Sequence, residues 1–168
     1  MTDMSRSGRP HWGRRPAMTT PGLDREGIET VARFIADGWA VSECALVVTT
    51  SAHQRRIDGA LRRWGHDPDE LRRRSRYTCV DADTLIAQVM VAGELDAELF
   101  GRLAGDLLVR ASAGGRRVRA FGEVVARLWQ RDQVAAALEV ERQVFASVEL
   151  GVQVADPAHV EEGRATGG

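Results

Sequence analysis

The chain has 168 residues, 43% of them apolar and 28% charged, with a formal net charge of -1. It is long enough to bury a core without disulfides or metal, and its charge gives no bulk attraction to nucleic acid or membrane. All 23 basic residues are arginine, which excludes a phosphate-binding P-loop lysine, a Schiff-base lysine and a lysine general base.

Residues 1–20 mix Arg, Gly, Pro, Ser and Thr without periodicity, as expected of a disordered arm, and Arg6, Arg9, Arg14 and Arg15 are followed by no apolar signal-peptide region. No apolar run approaches the roughly 20 residues of a membrane span, so a cytoplasmic protein is expected. From Asp24, the spacing of Ile28, Val31, Ile35 and Trp39 predicts a helix ending near Gly38. Cys44-Ala45-Leu46-Val47-Val48-Thr49-Thr50 is a continuous apolar and β-branched run, the pattern of a strand covered on both faces. Ser51 is placed to cap a helix with Ile57, Leu61 and Trp64 inward and Gly65 after its end. A short helix headed by Asp67-Pro68 follows, then a strand over Tyr77-Thr78-Cys79-Val80. Cys44 and Cys79 read as core residues, with pairing across neighbouring strands the alternative.

Asp83 is placed to cap a helix carrying Leu85, Ile86, Val89 and Met90, broken at Gly93. Asp96 caps the next, whose stripe is Leu99, Leu103, Leu107 and Ala111 with Phe100 and Leu108 beside it. Gly114-Gly115 ends that helix. A strand then runs to Phe121, a turn falls at Gly122, and a helix spans about Glu123 to Gln130. The last helix, from about Asp132 to Glu149, is expected to turn Val134, Leu138, Val144, Phe145 and Val148 inward. Val152-Gln153-Val154 reads as a short edge strand, and residues 156–168 as a disordered tail. Strands alternating with long helices require crossover connections, hence an α/β fold with a mostly parallel sheet and helices on both faces.

Ligands of such sheets collect beyond the carboxyl ends of the strands. Val48-Thr49-Thr50-Ser51-Ala52-His53 occupies a strand-to-helix turn there, but has neither the Gly nor the Lys of a phosphate loop. Its amides could meet an anion, although capping accounts for Ser51. Asp81, Asp83 and Glu123 fall at strand ends, where convergence would permit metal binding or acid/base work. Capping accounts for Asp83 and the turn for Asp81. Glu123 retains only a macrodipole role as its bland explanation. The four histidines have no metal-ligand spacing, and Ser51 and His53 lack a nucleophile elbow. No catalytic residue, metal or cofactor is therefore expected. Arg55, Arg56, Arg62, Arg63, Arg72, Arg73, Arg74 and Arg76 outnumber Asp58, Asp67, Asp69 and Glu70 by four. They read as solvated helix faces or a dock for an acidic partner, in preference to DNA, since no DNA-reading motif accompanies them.

Several of these segments, in this order, resemble one family. They are Val31-Ala32-Arg33-Phe34-Ile35-Ala36-Asp37-Gly38-Trp39, the strand ending Val47-Val48-Thr49-Thr50, and Leu61-Arg62-Arg63-Trp64-Gly65-His66-Asp67. Tyr77-Thr78-Cys79-Val80-Asp81-Ala82, Val118-Arg119-Ala120-Phe121-Gly122-Glu123-Val124 and Leu138-Glu139-Val140-Glu141 complete the set. Over residues 23–149 the chain resembles the MEDS domain, the methanogen/methylotroph DcmR-type sensory domain. The resemblance implies a degenerate RecA/KaiC-like, three-layer fold without a P-loop and a sensory role toward small molecules. Family members are often joined to histidine-kinase-like, anti-sigma or DNA-binding domains. The chain departs from the family where a first strand carrying a His is usual, here Gly13 to Thr20, and in its shortened closing strand.

The combined expectation is a MEDS-like sensory domain over residues 21–155, not an enzyme, with a small ligand held by Glu123, Gly122, Thr50, Ser51 and Asp81. It would signal through a kinase-like or anti-sigma protein, with Arg55, Arg62 and Arg63 as the partner contact. The alternative is a pure interaction module, docking a partner or a second copy.

Overall fold

A computed structural model describes residues 23–112, 114–149 and 153–155. Asp24 caps α1 (Arg25–Ala40) by accepting from the Gly27 amide at 2.7 Å, and the helix buries Ile28, Val31, Ala32, Ile35 and Trp39. It runs past the stop expected at Gly38. A Cβ on that residue would lie 2.6 Å from Arg119 Cδ, so Gly38 serves close packing and not termination.

β1 (Cys44–Thr49) is buried at all six positions and leads into α2 (Ser51–Arg63). The cap of α2 is Thr50, whose side chain accepts from the His53 amide, and not Ser51. Gly65 follows with φ +83°, the left-handed conformation expected just beyond a helix end. α3 (Pro68–Arg73) is capped by Asp67, and β2 (Tyr77–Asp81) runs into α4 (Ala82–Val89). Asp81, not Asp83, caps α4, because the helix begins two residues earlier than a cap at Asp83 would place it.

Met90 leaves the predicted helix. Met90–Val91 (β3) and Glu94–Leu95 (β4) form an antiparallel hairpin closed by Ala92 and Gly93 at φ 51° and 84°, the paired positive φ values of a tight hairpin turn. α5 (Ala97–Ala111), β5 (Val118–Gly122), α6 (Val124–Gln130), α7 (Val134–Glu149) and β6 (Gln153–Ala155) complete the order. α7 starts later than expected because Asp132 holds φ 58°, a conformation a helix does not admit.

The sheet has four strands in the order β2-β1-β5-β6, every pair parallel. β1 is central, and its alternation divides the interior. Leu46 and Val48 face one core with Leu85, Ile86, Phe100 and Leu128. Ala45 and Val47 face the other with Ile35, Ile57, Leu61 and Phe121. α1 and α2 thus cover one face, and α4 to α7 the other. This is the expected α/β class, with helices on both faces of a parallel sheet.

Three residues predicted inward lie outward: Trp64, Val134 and Leu138 are 39%, 42% and 53% exposed. α7 instead buries Ala136, Ala137 and Val140, small side chains that let it approach α6 closely. The side chains of Phe145 and Val148 lie outside the described set, as do Val152, the arm and the tail. The cysteines are both free. In register Cys79 faces Val47, three positions along β1 from Cys44, so they do not form a pair. Among the described residues no helix is long and apolar enough to cross a membrane.

Candidate functional site at the strand carboxyl ends

The parallel register sets Thr49 beside Asp81 on one side and Val48 beside Gly122 on the other. The carboxyl ends of β2, β1 and β5 therefore lie side by side at one edge of the sheet, the place where a parallel sheet opens a crevice for ligands, and α2 follows β1 there. Glu123 occupies the first position after β5 and is only 5% exposed. Its amide still donates to the Val48 carbonyl at 2.9 Å, which extends the sheet by one bond and aims the side chain back across β1.

That side chain is a bridge. Glu123 is the N-cap residue of α6 but its side chain makes no capping bond there. Glu123 Oε2 instead accepts from the buried Thr49 hydroxyl and, at 3.3 Å, from the Thr50 amide. His53 Nδ1 lies 2.8 Å from Oε1 and 3.0 Å from Oε2. A carboxylate removed from water needs several donors of this kind to offset its lost hydration. Because an ionised carboxylate only accepts, Nδ1 of His53 carries a proton, and in the neutral ring Nε2 is then the free lone pair. With 17% of its side chain exposed, His53 is the member of the set open to a visitor.

Asp81 forms the second wall. Its Oδ1 accepts from the Thr84 amide at 2.8 Å and its Oδ2 from the Ser51 hydroxyl at 2.9 Å. The Thr84 backbone donor, with the Ser51 hydroxyl, holds its carboxyl below the usual carboxylate range. The folded-state pKa is depressed, so this contribution to stability is fully present above the unfolded value near 3.9 and is lost as pH falls through the folded one. The protection factor of the Thr84 amide, its exchange rate referred to the intrinsic rate at each pH, should fall on acidification through that window. An Asp81→Asn protein, which has no carboxyl to titrate, should show no such fall.

The site residues read from sequence are thus partly assembled. Glu123 meets Thr50, and Ser51 meets Asp81, at the adjoining ends of β5, β1 and β2. Gly122 contributes only its backbone, since a Cβ there would meet nothing within 4 Å. Asp83 is drawn away by Arg127, at 3.0 Å, and Arg131, at 2.7 Å. Thr49 and His53 were missed. Their signal was their position, at the last residue of β1 and in the first turn of α2, but only the adjacency of β1 and β5 gives that position meaning. Of the arginines expected to meet a partner, Arg62 pairs with Asp69 and Arg63 with Glu29, while Arg55 is exposed on the same helix. Among the described residues no group of three or more His, Cys, Asp or Glu is placed to hold a metal ion.

α2 is locked over the crevice by a polar cluster on its next turns. The buried Asp58 accepts from Gln54 at 2.9 Å, from the Tyr77 hydroxyl at 3.2 Å and from Arg72 at 2.5 Å. Burial, with the nearby Cys79 and Asp58, pushes the Tyr77 phenol far up, so it stays a neutral donor.

Fold and site together define a parallel α/β domain whose strand-end turn holds its own carboxylates, Glu123 on the Thr50 amide and Asp81 on the Ser51 hydroxyl. Residues 18–149 match the family described as MEDS, the MEthanogen/methylotroph, DcmR Sensory domain. The match spans most of the sequence, and the chain belongs to this family of sensory domains. Comparison with curated proteins and with solved structures found no match.

Proposed function

We propose that the protein is a non-enzymatic sensory module that holds a small ligand at the carboxyl ends of β1, β2 and β5. It reports occupancy to a separate regulator of the histidine-kinase-like or anti-sigma type. The observation that carries this reading is the Glu123 bridge. That buried carboxylate makes no capping bond to its own helix and instead fixes a partly exposed histidine at the strand ends, where a ligand can reach the ring. Glu123 orients the ring and His53 Nε2 accepts from the ligand, with Ser51 at the rim.

We read the fold as a RecA/KaiC-like one that has dispensed with its phosphate loop. Support comes from the central strand-turn-helix without lysine, and from the carboxylates Glu123, on the Thr50 amide, and Asp81, on the Ser51 hydroxyl, which repel a phosphate. ATP with magnesium should accordingly give no saturable signal. Action in the cytoplasm fits the two unpaired cysteines.

Screening a library of small polar organic compounds by ligand-observed NMR tests the reading. Hits should perturb Thr49, Thr50, Ser51, His53 and Asp81 and vanish in a folded Glu123→Gln protein. Hits that keep their affinity in that variant would sink the assignment. One observation favours a second reading, a pure interaction module. Trp129, Val134 and Leu138 are exposed around the corner between α6 and α7, as an association surface would be. A concentration-dependent dimer abolished by Leu138→Glu, with no library hit at the crevice, would favour it.

A further inference from the structure

α1 and α2 pack side by side, and the surface between them carries a groove of about 430 Å3 lined by Arg25, Ile28, Glu29, Arg56, Gly59 and Arg63. We propose that this groove docks an acidic segment of a partner protein. The inference rests on the partner half of the proposed function and not on its ligand half.

Charge is the first argument. Three guanidinium groups meet one carboxylate there. Arg63 is paired with that carboxylate, Glu29, and Arg56 is held by the Leu23 carbonyl at 2.9 Å, with no ion pair among the described residues. Arg25 is exposed at the head of α1, and Arg55 and Arg62 extend the cationic surface along α2. Fixed guanidinium forks suit carboxylates, which they can bind in bidentate fashion.

Shape is the second. Gly59 lies within α2, where glycine is destabilising relative to alanine, and no packing demands it: a Cβ there would meet only Arg63 Nη1, at 3.9 Å. Its missing side chain deepens the groove and exposes backbone to an incoming chain. Beyond Arg63, α2 ends at Trp64, 39% exposed and with the Arg33 guanidinium 6.0 Å from its ring. Exposed Trp and Arg are the residue types that most often carry binding energy at protein interfaces. Nucleic acid fits less well, since the chain carries a net charge of -1 and no DNA-reading motif accompanies these arginines.

The test uses the full chain and a short fluorescein-labelled peptide of Glu and Leu, with a Gln and Leu peptide of equal length as control, read by anisotropy at low and high salt. The acidic peptide should bind at least about tenfold more tightly than the control, weaken with salt, and shift the amide resonances of α1 and α2. Gly59→Leu fills the groove with a better helix former and should weaken binding by about tenfold or more. Arg25→Glu should act in the same direction, and Glu123→Gln should leave peptide binding unchanged. Unaltered affinity in Gly59→Leu, equal binding of the control peptide, or tighter binding of a DNA duplex to the same residues would each overturn the proposal. Loss of library hits with peptide binding intact would instead refute the crevice and spare the groove.

Discussion

Glu123→Ala is expected to lower the free energy of unfolding by about 2–4 kcal/mol, because it strands the Thr49 hydroxyl, the Thr50 amide and the His53 ring without their acceptor. Thr49 is 1% exposed, so water does not replace the lost partner there. Glu123→Gln keeps one acceptor oxygen and should cost about 1 kcal/mol. Chemical denaturation with an unchanged slope against denaturant is the check. If Glu123→Ala proves as stable as the parent, the bridge contributes no net stability, and the expected cost of stranding its donors is wrong. His53 should then also lose its fixed tautomer, visible as a change in its ring nitrogen shifts.

Phe121→Ala should destabilise more, by about 3–5 kcal/mol. The ring is 1% exposed and fills the core beneath α1 and α2, against Val47 and Ile57 on the central layers. Removing it leaves a cavity that two helices and a strand cannot close without moving. Phe121 also stands two residues before Glu123, so relaxation of β5 into that cavity displaces the bridge. Thermal unfolding and crevice binding should therefore fall together. Val109→Ala, at a position 72% exposed, should change stability by less than about 0.5 kcal/mol and serves as the control.

Local patterns in the chain were sufficient for much of the scaffold. The run from Cys44 to Thr49 could only be a strand buried on both faces, and the spacing of Ile28, Val31, Ile35 and Trp39 could only be one face of a helix. Asp67, Asp96 and Gly65 marked ends that the structure keeps. The hairpin at Ala92-Gly93 was hidden because an alanine, not an asparagine, precedes its glycine, so the usual turn signal is missing. The inward face of α7 was misread because large apolar side chains were preferred, whereas close approach to α6 selected Ala136 and Ala137.

The site was legible only in fragments. That Glu123 lacked a local role, and that Thr50, Ser51 and Asp81 stood at strand ends, follows from sequence order alone, as does the absence of a phosphate loop in a chain without lysine. That His53 meets Glu123, 70 positions away, and that Asp83 turns to Arg127 and Arg131, depends on which strands are neighbours. Sequence periodicity placed the inward residues of α1 and β1, because that is a property of one element's geometry, but not those of α7. The order β2-β1-β5-β6 is a property of how elements pack on one another, and it alone brought a carboxylate, a histidine and a threonine from separate segments to one crevice.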